Sequence, residues 1–195
     1  MFKKLLFCLL LTASAVYAKS TVAFVGDSHI VAEMMTESIK KNSSWIKSSK
    51  IFGHNGAQAS WWILRGAKSL VDPKKYDLYY ISYGTNEMNV GISVSDYLAS
   101  MKYVTDYVLA NTEAKVILAA PMKLIKRGEP MAVEYFEALK KEYGDNPRVL
   151  VTSLLDCTKD IKYGNDLVHP IYEDYRKIGK CVAEQIAPFA VKGTK

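Results

Sequence analysis

The chain has 195 residues, of which 49% are hydrophobic and 24% are charged, and its formal net charge is +6. This length fits one domain with a sizeable core. Its lysines and arginines are scattered along the sequence rather than gathered into a basic stripe, which argues against nucleic-acid binding.

The N-terminus has the order of features found in a secretory signal peptide. Lys3 and Lys4 precede an apolar run, and small residues follow that run up to Ala18. We therefore predict a cleaved signal peptide over residues 1–18, a single domain over residues 19–195, and export to the periplasm or the medium. No later segment approaches the roughly 20 apolar residues that a membrane crossing needs, so no transmembrane segment is expected.

Short β-rich runs alternate with longer segments of helical period along the rest of the chain. Strands are predicted at Thr21–Val25, Lys50–Phe52, Leu78–Ser82, Lys115–Ala119 and Val149–Thr152. Helices with apolar residues spaced by three and four are predicted at Ser95–Asn111, Met131–Tyr143 and Ile171–Ile186. This alternation is typical of a parallel sheet covered by helices, so we expect the α/β class and a three-layer α/β/α sandwich.

The first predicted strand leads directly into Gly26, Asp27 and Ser28, and then into a helix. Open α/β sheets build their sites at the carboxyl ends of central strands. The start of a helix supplies free backbone N–H groups that stabilise negative charge. Ser28 is thus a candidate nucleophile, although a serine that only caps a helix would give the same local pattern.

An acid and a histidine occur three residues apart near the end of the chain, as Asp166 and His169. A serine nucleophile needs a base within hydrogen-bond reach, and that base needs an acceptor that fixes its tautomer. The spacing lets the imidazole of His169 face Ser28 with the carboxylate of Asp166 behind it. We predict Ser28 as nucleophile, His169 as general base and Asp166 as the group that orients the histidine. The alternative is a helix-capping aspartate beside a surface histidine.

Two further strand-end loops carry hydrogen-bond donors. Gly56 follows the second predicted strand, and Asn86 follows the third. Because a glycine N–H can approach a substrate closely and an asparagine amide can donate, both could join the Ser28 N–H in an oxyanion hole of three donors. Either residue alone would more often belong to an ordinary turn.

The order of these motifs, Gly-Asp-Ser, Gly56, Gly84-Thr85-Asn86 and Asp166-Leu167-Val168-His169, resembles that of the SGNH, or GDSL-type, hydrolases over about Thr21 to Pro170. The resemblance implies a flavodoxin-like sheet of five parallel strands and the same residue roles as above. Within the family, Gly-Asp-Ser-His, Asn-Gly-Ala and Tyr-Gly-Thr-Asn-Glu look most like the bacterial peptidoglycan O-acetylesterases. That likeness implies an O-acetyl ester on an envelope polysaccharide as the substrate.

Two adjacent tryptophans, Trp61 and Trp62, follow the loop that carries Gly56. Their rings are candidates for stacking on a sugar, with a place in the core as the alternative for at least one of them.

Two cysteines, Cys157 and Cys181, remain after removal of residues 1–18. In an oxidising exported compartment they predict a disulfide, and two buried thiols are the alternative. The histidines lack metal-ligand spacing, and no glycine-rich nucleotide loop is present, so neither a metal nor a cofactor is expected.

Three other functions stay open at this point. The same fold could serve a lysophospholipase or thioesterase, and the same three residues could serve an O-acetyltransferase that passes acetyl to a sugar hydroxyl. A glycan-binding module without catalysis is the third, and the intact set of Ser28, Asp166 and His169 argues against it.

Overall fold

The computed structural model describes residues 19–71, 76–125 and 129–191. The predicted signal peptide, residues 1–18, lies outside the described residues. Among the described residues, no helix combines the length and the apolar character needed to cross a membrane.

The described chain contains one sheet of five parallel strands in the order β2-β1-β3-β4-β5. The strands are β1 Ser20–Gly26, β2 Ile46–Gly53, β3 Leu78–Ser82, β4 Lys115–Ala120 and β5 Val149–Ser153. The predicted α/β class and parallel sheet are confirmed. Strand β2 begins earlier than predicted because it lies at an edge, where exposed Lys47 and Ser48 interrupt the apolar pattern that marks central strands.

Eight α-helices connect and cover the strands of the described chain. They are α1 Ser28–Val31, α2 Met34–Lys41, α3 Trp61–Arg65, α4 Lys68–Val71, α5 Thr85–Val90, α6 Val94–Asn111, α7 Pro130–Tyr143 and α8 Tyr172–Val191. The three long helices match the predicted ones, and α8 continues five residues further, past Pro188. The shorter helices span too few turns for apolar periodicity to reveal them.

Helices lie on both faces of the sheet and give the three layers. Successive residues of β1 alternate between two cores, with Phe24 packed in the core that includes Ile39 of α2 and Ile178 of α8. Val25 lies in the opposite core, with Tyr97 of α6 and the α7 residues Tyr135 and Leu139. Burial on both faces explains why β1, β3 and β4 read as continuous apolar runs.

Two glycines let the carboxyl ends of β1, β2 and β3 come close together. Gly26 pairs with Gly53 of β2 and with Ser82 of β3. A Cβ on Gly26 would lie 2.6 Å from the Ser82 carbonyl oxygen, and one on Gly53 would lie 2.1 Å from the Gly26 carbonyl oxygen. Only glycine fits at either position, so these residues let the strand ends lie close together. Because the three strands are parallel, the segments after them leave from the same edge of the sheet.

Cys157 and Cys181 form a disulfide, and their Cα atoms lie 5.6 Å apart. Cys157 lies in a short 3-10 turn after β5, and Cys181 lies in α8. The bond therefore closes a loop that contains both Asp166 and His169.

We expect the Cys157→Ser/Cys181→Ser variant to be less stable than the wild type. In the chain-entropy model, opening a loop of this size lowers the free energy of unfolding by about 3 kcal/mol. For a domain of this length, that corresponds to a melting temperature lower by roughly 6–12 °C. Urea unfolding with and without reductant measures the effect. Reductant should destabilise the wild type and leave the variant unchanged. Equal unfolding midpoints for the two proteins without reductant would contradict the prediction.

Candidate active site

The structure brings Ser28, His169 and Asp166 into one hydrogen-bonded line. The Ser28 Oγ lies 2.7 Å from His169 Nε2, although the two residues are 141 positions apart in the chain. His169 Nδ1 lies 2.6 Å from Asp166 Oδ2. With the Nδ1 proton donated to Asp166, Nε2 is left to accept the proton of the Ser28 hydroxyl. This geometry meets the requirements for the predicted nucleophile, general base and orienting acid.

Ser28 owes its position to the start of α1. Asp27, in an extended conformation, caps this helix and accepts a hydrogen bond of 3.0 Å from the His29 N–H. The cap ends β1 and makes Ser28 the first helical residue, half-buried beside His169.

Asp166 is held by its own loop as well as by the histidine. Its Oδ1 accepts hydrogen bonds from the backbone N–H groups of Val168 and His169, each at 2.9 Å. These bonds, that of His169 first, hold the pKa of Asp166 well below its ordinary range. The carboxylate is therefore ionised and fixed in orientation when it faces the imidazole.

The two other predicted oxyanion donors, Gly56 and Asn86, lie in segments that are joined by a hydrogen bond. Asn86, the second residue of α5, donates from Nδ2 to the Ala57 carbonyl oxygen at 2.9 Å. Gly56 directly precedes Ala57 and has a φ of +74°, a left-handed conformation that favours glycine. Because a side-chain amide carries two N–H groups, the bond to Ala57 leaves Asn86 a second donor.

The start of α5, which carries Asn86, also lies near the start of α1, which carries Ser28. Thr85, which precedes Asn86, lies beside Asp27, which precedes Ser28, and its side chain lowers the pKa of the Asp27 carboxyl group. Ser28, Gly56 and Asn86 thus follow the neighbouring strands β1, β2 and β3 at the same edge of the sheet.

Asp27 is a buried acid, with 2% of its surface exposed. Burial raises the pKa of Asp27 from 3.8 to about 7, and the charge of Glu87 adds to the rise, while the bond from the His29 N–H opposes it. A raised carboxyl pKa stabilises the fold at low pH, and that stabilisation is lost as the pH rises from about 4 to about 7.

We expect Asp27→Asn to remove this pH dependence. The amide keeps an oxygen that can accept from the His29 N–H, but it does not ionise. Between pH 4 and 7 the variant should gain up to about 4 kcal/mol in free energy of unfolding relative to the wild type. Urea unfolding at several pH values measures the difference, and parallel pH curves for the two proteins would contradict the prediction.

One buried residue beside the line has no role in the sequence analysis. His29 follows Ser28, and its Nδ1 lies 2.7 Å from the hydroxyl oxygen of Tyr175 in α8. Its ring centroid lies 4.9 Å from that of His169. Burial first, and the charge of His169 second, lower the pKa of His29 to about 3, so this imidazole is neutral at ordinary pH. Its proximity to Ser28 in the sequence was visible, whereas its contact with Tyr175 depends on tertiary packing.

The two tryptophans occupy different environments. Trp62 is 3% exposed and donates from Nε1 to the hydroxyl oxygen of Tyr83 at 2.8 Å. It lies in the core and presents no free face, so the sugar-stacking interpretation does not apply to it. Trp61 is half-buried, with the Arg65 guanidinium 4.6 Å from its ring centroid and the exposed His54 ring 6.0 Å away.

The described residues contain no group of three or more His, Cys, Asp or Glu side chains that could hold a metal ion. The hydrogen bonds that join Ser28, His169 and Asp166 have the geometry for proton transfer.

Solved structures with the same fold come from several organisms. A member of the lipolytic protein G-D-S-L family from Veillonella parvula superposes with a TM-score of 0.71 at 14% identity, over 84% of this chain and 96% of that chain. A carbohydrate esterase of family 3 from Talaromyces cellulolyticus gives a TM-score of 0.66 at 15% identity, over 89% and 99% of the two chains. A catalytic mutant of an acetylxylan esterase from Geobacillus stearothermophilus gives 0.67 at 14% identity, over 88% and 95%.

The sequence matches no protein-family model and no curated protein sequence. At identities of 14% and 15%, the likeness to these structures establishes a shared fold. The chain therefore has the α/β fold seen in these lipolytic proteins and esterases.

Proposed function

We propose that this protein is an exported serine esterase of the SGNH type that hydrolyses O-acetyl esters on a cell-envelope polysaccharide, such as peptidoglycan. The observation that carries the proposal is the line from Ser28 Oγ through the His169 ring to Asp166, with bonds of 2.7 and 2.6 Å. It lies at the carboxyl edge of a parallel sheet, where this architecture binds ligands.

In the proposed reaction, Ser28 Oγ attacks the acyl carbonyl carbon while its proton moves to His169 Nε2. Asp166 stabilises the imidazolium that forms. The carbonyl oxygen becomes negative and accepts hydrogen bonds from the N–H groups of Ser28 and Gly56 and from the Asn86 amide. The intermediate then collapses, and His169 gives its proton to the departing alkoxide, which leaves as the sugar alcohol.

The second half of the reaction repeats these steps with water. His169 takes a proton from a water molecule, whose oxygen attacks the acyl-enzyme carbonyl. The bond to Ser28 Oγ breaks, the serine regains a proton from His169, and the acid is released. No step requires a metal or an organic cofactor.

The preference for an acetylated polysaccharide has three supports. The motifs around Ser28, Gly56 and Asn86 resemble those of peptidoglycan O-acetylesterases, and proteins of the same fold include an acetylxylan esterase and a carbohydrate esterase. His54, in the loop that carries Gly56, and Trp61, which follows that loop, have rings that are at least partly exposed and could contact a sugar.

Export is supported by two features that belong to different ends of the chain. Residues 1–18 have the charge, apolar run and small residues of a signal peptide. The bond between Cys157 and Cys181 suits an oxidising compartment.

Release of acetate from O-acetylated peptidoglycan tests the proposal, with Ser28→Ala as the inactive control. Acetate should appear with the wild type alone. A faster rate on octanoyl than on acetyl esters would instead indicate a lipid enzyme, and transfer of acetyl to an added glycan would indicate an acetyltransferase. Glycan binding without turnover would overturn the catalytic assignment.

A further inference from the structure

Glu87 is a buried acid close to the candidate site, and the proposed reaction gives it no role. It is the third residue of α5, directly after Asn86, and only 2% of its surface is exposed. Burial raises the pKa of Glu87, while the hydrogen bond from Ala59 opposes the rise. Burying a carboxyl group is costly, so its contacts need an explanation.

Glu87 and Asn86 form hydrogen bonds with the two ends of the short segment Ala57–Ala59. Glu87 Oε1 accepts a hydrogen bond of 2.7 Å from the Ala59 N–H. Asn86 Nδ2 donates to the Ala57 carbonyl oxygen at 2.9 Å. Ala57 and Ala59 are both buried, so these bonds fix the backbone of the segment from inside the protein.

This segment directly follows Gly56, which lies in a turn closed by a hydrogen bond of 3.1 Å from the Ala57 N–H to the His54 carbonyl oxygen. A Cβ built on Gly56 would meet no atom within 4 Å, and the residue is exposed. The direction of the Gly56 N–H therefore depends on this turn and on how Ala57 and Ala59 are anchored. The bond to Glu87 is one of the two side-chain anchors.

We propose that Glu87 is a positioning residue that fixes the Gly56 and Asn86 donors relative to each other in the oxyanion hole. The inference rests on the proposed function, because it assigns Glu87 to the stabilisation of the acyl oxyanion. Glu87 suits the role because its side chain is long enough to place an acceptor oxygen 2.7 Å from the Ala59 N–H. Such precision matters because a misplacement of about 1 Å at a reacting centre can cost roughly 100-fold in rate.

Two substitutions separate the geometry of this contact from its charge. Glu87→Gln keeps an acceptor oxygen at the same reach and removes the charge, so it should keep most of kcat on a chromogenic acetyl ester. Glu87→Asp keeps the charge but is one methylene shorter and does not reach the Ala59 N–H. It should lower kcat by roughly 10- to 100-fold with little change in KM, and Glu87→Ala should do the same.

A matched control is Tyr79→Phe, which removes another buried hydrogen bond, from the Tyr79 hydroxyl to the Leu70 carbonyl oxygen at 2.9 Å. It should lower the melting temperature but leave kcat unchanged, because that bond lies in the core beside α4. If Glu87→Ala does not fold, Glu87→Asp and Glu87→Gln carry the comparison.

Two results would overturn the inference. One is a folded Glu87→Asp protein with the kcat of the wild type, and the other is a Glu87→Gln protein as impaired as Glu87→Asp, which would assign the effect to charge. Failure of the proposed function is distinguishable, because the wild type itself would then show no more turnover than Ser28→Ala.

Discussion

Ser28→Ala should lower kcat on an acetyl ester by about 10⁴-fold or more and leave the fold intact. The substitution removes the atom that attacks the carbonyl, and neither His169 nor Asp166 can replace it as a nucleophile. His169→Ala should cost a similar factor, because without the base the Ser28 hydroxyl keeps its proton. Asp166→Asn should cost less than either, since it leaves the nucleophile and the base in place.

Steady-state kinetics and melting temperatures of the purified variants test this prediction together. Ser100→Ala is a matched control, because the Ser100 hydroxyl donates to the Asp96 carbonyl oxygen of its own helix. It should have the kcat of the wild type. Near-normal turnover by Ser28→Ala would show that another residue is the nucleophile.

Asn86→Ala should lower kcat by roughly 10²- to 10³-fold while KM changes little. The substitution removes a donor that acts when the carbonyl oxygen gains negative charge, so the transition state loses more than the bound substrate does. It also removes the bond to the Ala57 carbonyl oxygen, which loosens the segment after Gly56.

Asn111→Ala is the matched control for this measurement. Asn111 is the last residue of α6, and its exposed side chain donates to the Tyr107 carbonyl oxygen of the same helix. Its kcat should equal that of the wild type. If Asn86→Ala raised KM and left kcat intact, Asn86 would contact the bound substrate rather than the oxyanion.

The features that the sequence predicted well depend on local chemistry. Central strands such as β3 were identified within their observed bounds, because burial on both faces leaves an uninterrupted apolar run. Ser28 was singled out by its position after the first predicted strand, and Asp166 and His169 by their spacing of three residues before the last helix. The structure brings these three side chains together.

The features that the sequence did not predict depend on contacts between distant segments. Nothing in the local pattern distinguishes Trp61 from Trp62, and the bond from Trp62 to Tyr83 forms only when α3 packs against the end of β3. The bond between Glu87 and Ala59 likewise joins segments 28 positions apart. Sequence periodicity reports which face of an element is apolar, and it carries no information on which partner a buried polar atom finds.

The separation of 141 positions between Ser28 and His169 has a consequence for when the protein can act. A chain that emerges from the ribosome has its serine long before it has its histidine. Under the proposed mechanism, a fragment that ends before His169 lacks the base and should not hydrolyse esters. The return of activity during refolding therefore reports that the first and last parts of the chain have joined, which a spectroscopic signal of helix content would not show.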